Sequence, residues 1–236
     1  MAARRPTAAA VLRRLRRLAN PANVAGMARF GINPARTLGV SMPVLRRIAR
    51  EIGTDHTLAQ TLWASGVHEA RILAGFVDDP VRVTRAQMNR WAADFDSWDV
   101  CDQVCSSLFD RTPFAFQKAL EWTDRREEFV KRAGFVLMAA LAVHDRRATD
   151  AAFERFLPII ARGSTDERNF VKKAVNWALR QIGKRNRRLN RKAIAQARKI
   201  QRIPSRAARW IAADAVRELT GEVVRRKLSV AARPRR

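Results

Sequence analysis

Several residue types are scarce or absent in this 236-residue sequence. It has no tyrosine, only two cysteines, ten glycines and nine prolines. Few glycines and prolines leave few breaks in regular structure, and the recurring Ala, Leu and Arg favour helices over strands. No segment alternates apolar and polar residues in the way that a half-buried strand does. The sequence therefore predicts an all-α fold.

The scarcity of cysteine and histidine bears on metals and disulfides. Cys101 and Cys105 lie four apart on one predicted helix, a spacing that suits a disulfide poorly. Two cysteines are too few for an iron–sulfur cluster, which takes about four. His56, His68 and His144 are scattered and lack zinc-site spacing. We expect no metal, no cofactor and a reducing cytoplasmic location.

No long hydrophobic run is present either. A membrane span needs about 18 consecutive apolar residues, so none is expected. The first 19 residues are rich in arginine and free of acids, which is typical of a transit peptide. They also place Val11, Leu12, Leu15 and Leu18 on one face, and this spacing favours a first amphipathic helix. We expect a monomer that does not enter a membrane.

Acidic residues are missing from the two ends of the chain. Residues 1–50 carry 11 Lys/Arg and no acid, and residues 184–236 carry 18 Lys/Arg against three acids. The formal net charge is +25. A preference for arginine over lysine can come from a GC-rich genome, but 47 basic against 22 acidic residues cannot. Such a charge indicates an extended polyanion as partner, which means nucleic acid.

Helical periodicity divides the chain into segments joined by short breaks. The predicted helices are 8–19, 22–29, 41–52, 56–65, 67–78, 84–94, 97–109, 113–122, 126–144, 149–161, 166–183, 190–200 and 205–219. Good N-cap residues precede several of them, namely Ser41, Thr84, Ser97, Ser164 or Thr165, and Ser205. Residues 1–224 are interpreted as a single domain, and 225–236 as a disordered basic tail.

A weak repeat runs through these helices. A cation followed by small and apolar residues begins the segments at Arg71, Arg132, Lys173 and Arg209. The spacing of roughly 30–40 residues per helix pair is typical of HEAT-like α-solenoids, which are stacks of antiparallel helix pairs. Because such a stack curves, these cations would form a basic stripe along a concave groove. The alternative is a helical bundle with ordinary surface arginines.

Two positions in this pattern have chemical interest. Trp98 and Asp102 are i,i+4 neighbours at the edge of the stripe formed by Val100, Cys101, Val104 and Leu108. A carboxylate beside a large aromatic ring is a candidate catalytic pair. The alternative is that Trp98 packs in the core and Asp102 forms a salt bridge.

The second position is Trp177. It lies roughly 110° from the centre of its helix's apolar stripe, among Lys173, Arg180 and Lys184. Aromatic rings flanked by cations suit the sugars and bases that lie beside phosphates. The alternative is that Trp177 packs against the next repeat.

The segments 97–102, 128–134 and 169–180 together resemble the DNA alkylation repair family of HEAT-like-repeat DNA glycosylases. The resemblance extends over about residues 40–220 and is carried by Trp98 with Asp102, by Lys131-Arg132-Ala133, and by the run from Lys173 to Arg180. It implies a concave basic groove that holds duplex DNA containing alkylated bases and excises N3- and N7-alkylated purines. It also implies an Asp flanked by two Trp, with a nearby Arg on the DNA. These roles fall on Asp102, Trp98, Trp177 and Arg132, and the cations Lys173, Arg180 and Lys184 would bind DNA beside them.

One position departs from the family pattern. Family members often carry a second Trp directly before the motif Trp, and here that position is Ser97. The departure bears on the range of substrates. Two further classes of function remain beside the glycosylase: a DNA-binding or DNA-structure-sensing repeat protein without catalysis, and a protein-interaction solenoid whose basic ends bind an acidic partner.

Overall fold

The computed structural model describes residues 6–230, and every regular element in that range is a helix. The helices are α1 Ala8–Arg17, α2 Pro21–Arg29, α3 Met42–Ile52, α4 His56–Ala64, α5 His68–Val77, α6 Arg85–Ala93, α7 Trp98–Ser107, a 3-10 turn Phe109–Arg111, α8 Ala115–Thr123, α9 Glu128–His144, α10 Asp150–Glu154, α11 Phe156–Gly163, α12 Asn169–Gly183, α13 Arg187–Gln201, α14 Arg206–Leu219 and α15 Glu222–Val230. The all-α prediction is confirmed for this range, in which no strand occurs.

The contacts between these helices divide the chain into two compact units. Unit 1 is Met1–Thr112 and unit 2 is Pro113–Arg236. Each unit has its own set of fully buried large side chains, such as Trp91 and Phe109 in unit 1 and Phe135 and Phe153 in unit 2. The single domain predicted for residues 1–224 stays a prediction.

In unit 1, the predicted N-terminal amphipathic helix is present as α1. Val11 and Leu15 are buried, and α1 packs against α4 and α5. Leu18, the last residue of the predicted apolar face, is 39% exposed. The arginines at positions 14, 16 and 17 lie in the last turn, where cations interact favourably with the helix dipole.

Helices α5 and α7 of unit 1 run parallel, one repeat apart. At their starts, His68 Nε2 lies 2.9 Å from Asp99 Oδ2, 31 residues further along the chain. Nearer their ends, Gly75 lies against Val104, where a Cβ on the glycine would be 3.0 Å from Val104 Cγ2. The two helices therefore point the same way. The preceding helices repeat the separation of 31 residues, since Trp63 Nε1 of α4 donates to Asp94 Oδ2 at the end of α6 at 2.8 Å.

Unit 2 repeats this arrangement with a longer period. Hydrogen bonds join Arg132 to Phe170, Asn176 to Asp214 and Arg180 to Glu218, each across 38 residues. Helices α9, α12 and α14 are therefore parallel to one another. Helix α13 returns between α12 and α14 in the opposite direction, since Asn190 near its start binds the carbonyls of Gly183 and Leu219. These are the stacked antiparallel pairs that the 30–40-residue spacing predicts.

The structure differs from the sequence prediction at three places. The predicted helix 149–161 is divided at Arg155, because Pro158 has no N–H and is tolerated only in the first turn of a new helix, α11. The start predicted at Ser164 or Thr165 is wrong, since α12 begins at Asn169 after the N-cap Arg168. The disordered tail predicted from 225 is wrong for residues 225–230, which continue α15 and are held by buried Val224 and Leu228. Residues 231–236 lie outside the described part.

Candidate active site and basic surface

Trp98 is the first residue of α7 in unit 1, and the segment before α3 fixes it. Its indole Nε1 donates a hydrogen bond to the carbonyl oxygen of Phe30 at 3.1 Å. The preceding residue, Ser97, is the N-cap of α7 but uses its hydroxyl to accept from Asn33 N at 2.9 Å. Two consecutive residues at the start of α7 are thus tied to the segment 30–33.

A buried carboxylate holds the next part of that segment. Glu69 is 1% exposed and accepts backbone N–H groups from Leu38, Gly39 and Val40 at 2.6 to 3.2 Å. Gly39 has a φ of +78° and lies so close to Asn20 O that a Cβ would be 2.3 Å from it. Sequence reasoning missed this anchor. The available signal was a carboxylate inside the apolar run of α5, where it must be paired to be buried.

Asp102 follows Trp98 by one turn of α7 and is 9% exposed. The apolar stripe predicted for this helix is confirmed, since Val100, Cys101 and Val104 are buried. Both cysteines are free thiols. Burial, followed by the hydrogen bond to Cys101, raises the pKa of Cys105 well above its ordinary value. A thiol held in its protonated form is a poor nucleophile, so Cys105 is not a candidate nucleophile.

An apolar cavity of about 590 Å³ lies beside Trp98 within unit 1. Its walls include Met27, Phe30, Ile32, Met42, Ile72 and Trp98. Phe30 is 74% exposed, so one wall is also part of the surface. Trp98 is therefore partly exposed rather than enclosed in the core.

In unit 2, four of the predicted site residues share one face of α12. Lys173, Trp177, Arg180 and Lys184 follow one another at intervals of four, three and four residues. Lys173 is exposed and Trp177 is partly exposed. The opposite face is buried, and it contains the apolar stripe predicted for this helix.

Two of these cations, Arg180 and Lys184, form ion pairs with acidic residues of α14. Lys184 Nζ lies 2.6 Å from Glu218 Oε1, and Arg180 binds Glu218 and also lies 3.4 Å from Asp214 Oδ2. Burial raises the pKa of Glu218, but the hydrogen bond from Lys184 and the charge of Arg180 lower it further, so the net shift is downward. Within residues 6–230, no acidic side chain forms an ion pair with Lys173, which is exposed.

Arg132 lies on α9 and is 5% exposed. Its Nη1 donates to the carbonyl oxygen of Phe170 at 2.5 Å, which ties α9 to the first turn of α12. The predicted contact of Arg132 with DNA stays a prediction.

The structure thus brings the predicted site residues together in two groups. Trp98 and Asp102 share α7 in unit 1, and Lys173, Trp177, Arg180 and Lys184 share a face of α12 in unit 2, with Arg132 bonded to the same helix. Across residues 6–230, no three His, Cys, Asp or Glu side chains cluster so as to hold a metal ion. Within the same range, no helix is both long and apolar enough to cross a bilayer.

Comparison with known proteins adds to these observations. The model of a family described as DNA alkylation repair enzyme matches residues 11–219. A solved structure from a family related to the HEAT-like repeat DNA glycosylases, with affinity for branched DNA structures, superposes with a TM-score of 0.77 at 19% identity, covering 94% of this chain and 96% of that one. The superposition with a TM-score of 0.77 shows that the chain has a HEAT-like repeat fold.

A designed armadillo repeat protein bound to a (KR)4 peptide reaches a TM-score of 0.36 at 14% identity over 79% of each chain. No curated protein matches the sequence significantly.

Proposed function

Because the chain belongs to the DNA alkylation repair enzyme family, we propose that it is a DNA glycosylase that releases N3- and N7-alkylated purines from duplex DNA. Asp102 is the catalytic carboxylate, and Trp98 and Trp177 contact the lesion nucleotide. Arg132, Lys173, Arg180 and Lys184 contact the DNA. The enzyme acts as a cytoplasmic monomer and uses neither metal nor cofactor.

The chemistry needs little beyond one negative charge. A purine alkylated at N3 or N7 is cationic, so it leaves with the electron pair of the broken C1′–N bond and becomes neutral. Positive charge then develops on the deoxyribose, as in other glycosidic cleavages. A carboxylate stabilises that charge and orients the water that attacks C1′, and the water's proton is lost to solvent. No general acid is required for the leaving group.

The observation that carries the proposal is the setting of Asp102. Its side chain is 9% exposed and lies one helical turn from Trp98. Charge interactions weaken in water and strengthen where the solvent is excluded. A carboxylate at this depth therefore acts on a developing positive charge more strongly than one on the open surface.

The two tryptophans act through their ring faces. The π face of an indole attracts cations, and the effect is worth about 2 kcal/mol when the contact is desolvated. An alkylated purine and an oxocarbenium-like sugar are both cationic. Trp98 donates its single N–H to Phe30 O, so a contact between Trp98 and the lesion nucleotide would be made by the ring and not by that donor.

The experiment is single-turnover release of 7-methylguanine from alkylated duplex DNA with protein in excess, so that product release does not limit the rate. Asp102→Asn should slow release about 10²–10³-fold, equivalent to roughly 3–4 kcal/mol, and leave DNA binding nearly unchanged. Asp96→Asn is the matched control, because its carboxylate is 44% exposed in the same segment. A folded Asp102→Asn protein that releases base at the wild-type rate would remove the catalytic role.

A second candidate is binding of branched DNA without base release. It is favoured by the superposed structure, which comes from a family with affinity for branched DNA structures. This candidate retains the basic surface and needs no carboxylate on α7. Tight binding of a four-way junction together with no release of alkylated base by the wild-type protein would support it over the glycosylase.

A further inference from the structure

A second tryptophan in unit 2 repeats the pattern of Trp177. One face of α12 carries Lys173, which is exposed, followed by Trp177, Arg180 and Lys184, which are partly exposed, at intervals of four, three and four residues. On α14 the residues Arg206, Trp210, Ala213 and Arg217 follow at the same intervals, and all four are exposed. Residues at these intervals lie along one face of a helix. Each of the two helices thus presents one indole with a cation one turn before it and another two turns after it.

The indole of Trp210 is open to solvent and sits among cations. It is 42% exposed, and Lys172 Nζ lies 5.8 Å from its ring centroid. Arg206, Arg209 and Lys173 are also exposed on these helices. An indole with an open face beside cations offers a surface on which a flat ring can stack next to a phosphate.

Two acidic residues, Glu167 and Asp214, lie near this surface, and both already bind other protein groups. Glu167 accepts hydrogen bonds from Ser205 Oγ and Ala207 N at 3.0 Å each, which caps α14. Asp214, one turn after Trp210, binds Asn176, Arg180 and Arg217. The cations around Trp210 outnumber these carboxylates, so the surface attracts anions.

The register between α12 and α14 gives the separation of the two indoles. Contacting residues differ by 38, so Trp177 is level with residue 215 of α14. Trp210 lies five residues earlier, which is about 7.5 Å along the axis, and neighbouring helices are about 8–10 Å apart. The two Cα atoms are then about 12 Å apart. Successive nucleotides of one strand rise about 3.4 Å, so this spans about three or four nucleotides.

We propose that Trp210, flanked by Lys172 and Arg206, is a stacking site for an unpaired nucleobase about three or four nucleotides from the nucleotide at Trp177. This inference rests on the proposed function, which places the lesion nucleotide at Trp177. Base faces in intact duplex are covered by their neighbours, whereas an unpaired base has a free face that stacks on an indole without regard to sequence. The site therefore favours alkylated DNA that carries a gap, flap or junction near the lesion.

The test compares two alkylated duplexes, one fully paired and one with a single unpaired nucleotide placed one to eight positions from the lesion. The wild-type protein should bind the second duplex about tenfold more tightly when the unpaired base is three or four positions away. Trp210→Ala should abolish that preference and leave affinity for the paired duplex unchanged. With 2-aminopurine as the unpaired base, fluorescence quenching should depend on Trp210 and be greatest at the same positions.

Two variants complete the design. Trp210→Phe keeps an aromatic face and should retain most of the preference, and Val143→Ala, at an apolar residue that is 48% exposed on α9, should not alter it. A wild-type protein that binds paired alkylated duplex without any preference, or a Trp210→Ala protein that keeps the preference, would overturn the stacking site alone. A wild-type protein that binds no DNA would instead overturn the proposed function. Thermal unfolding of each variant establishes that it is folded.

Discussion

The imidazole of His68 lies 2.9 Å from the carboxylate of Asp99, and this pair joins α5 to the helix that carries Trp98 and Asp102. His68 is 4% exposed. Burial lowers its pKa, but the hydrogen bond to Asp99 and the charges of Asp99, Glu69 and Asp96 raise it more, so the net shift is upward. The strength of this contact between α5 and α7 therefore depends on the protonation of His68.

The pair should make the stability of the protein depend on pH. The pKa of His68 is higher in the folded protein than in the unfolded chain. The pair therefore adds its full contribution to the free energy of unfolding at pH values below the unfolded pKa of about 6.5. That contribution is lost as the pH rises through the folded pKa. The midpoint of thermal unfolding should fall over this window, and the fall should be smaller in Asp99→Asn. Equal pH profiles for the two proteins would show that the pair does not contribute.

Replacing the tryptophans should affect damaged DNA selectively. If the proposed function is correct, Trp98→Ala and Trp177→Ala should each lower the rate of base release about tenfold to thirtyfold, less than Asp102→Asn does, because each would remove one cation–π contact with the lesion nucleotide. Affinity for alkylated duplex should fall more than affinity for undamaged duplex. Fluorescence anisotropy with matched oligonucleotides measures both. A uniform loss on both DNAs would indicate a general packing defect instead.

The cations of α12 should differ in their contributions to DNA binding. Lys173 is exposed, whereas Arg180 and Lys184 already pair with Glu218. Each phosphate contact contributes about 0.9 to the slope of log affinity against log salt. Lys173→Gln should reduce that slope by about one and leave the unfolding midpoint unchanged.

Arg180→Gln is the informative comparison. It should reduce the salt slope less than Lys173→Gln and lower the unfolding midpoint, because it leaves Glu218 and Asp214 short of a partner. A larger slope change for Arg180 than for Lys173 would contradict this ordering. An affinity that does not depend on salt for the wild-type protein would contradict electrostatic binding altogether.

Two glycines should respond oppositely to alanine. A Cβ on Gly134 in α9 would lie 2.8 Å from Thr123 N and 3.1 Å from Ala119 O, both backbone atoms of α8 that cannot move aside. Gly134→Ala should therefore destabilise the fold by about 1–3 kcal/mol. Gly26 in α2 has no atom within 4 Å of such a Cβ, so Gly26→Ala should stabilise by about 0.5–1 kcal/mol. Denaturant unfolding of both variants measures the difference.

Much of the fold could be predicted because helices are encoded locally. Thr84 and Ser205 were predicted as N-caps, and each accepts the backbone N–H three residues on. Ser97 also precedes its helix, but its hydroxyl binds Asn33, 64 residues away. A local pattern shows that a serine suits a helix start, but it does not show which donor the hydroxyl will meet.

The sequence predicts which residues of the candidate site share a helix face, but not which residues of other helices they contact. The spacing of Lys173, Trp177, Arg180 and Lys184 correctly predicts that they share a face of α12. The spacing does not reveal that Glu218 pairs with two of them. That contact joins residues 38 apart in the sequence of unit 2, whereas the corresponding contact in unit 1 joins residues 31 apart. Because the repeat length varies, the sequence alone does not show which residues of neighbouring helices will meet.

The hydrogen bond from Trp98 to Phe30 O has a consequence for lesion choice in the proposed reaction. An indole has a single donor, and here the protein itself occupies it. Trp98 is then unable to read the pattern of donors and acceptors on a base, so its discrimination rests on formal charge. Lesions of different shape that share a positive ring should be treated alike, and a neutral lesion such as an O6-alkylated guanine should be left in place.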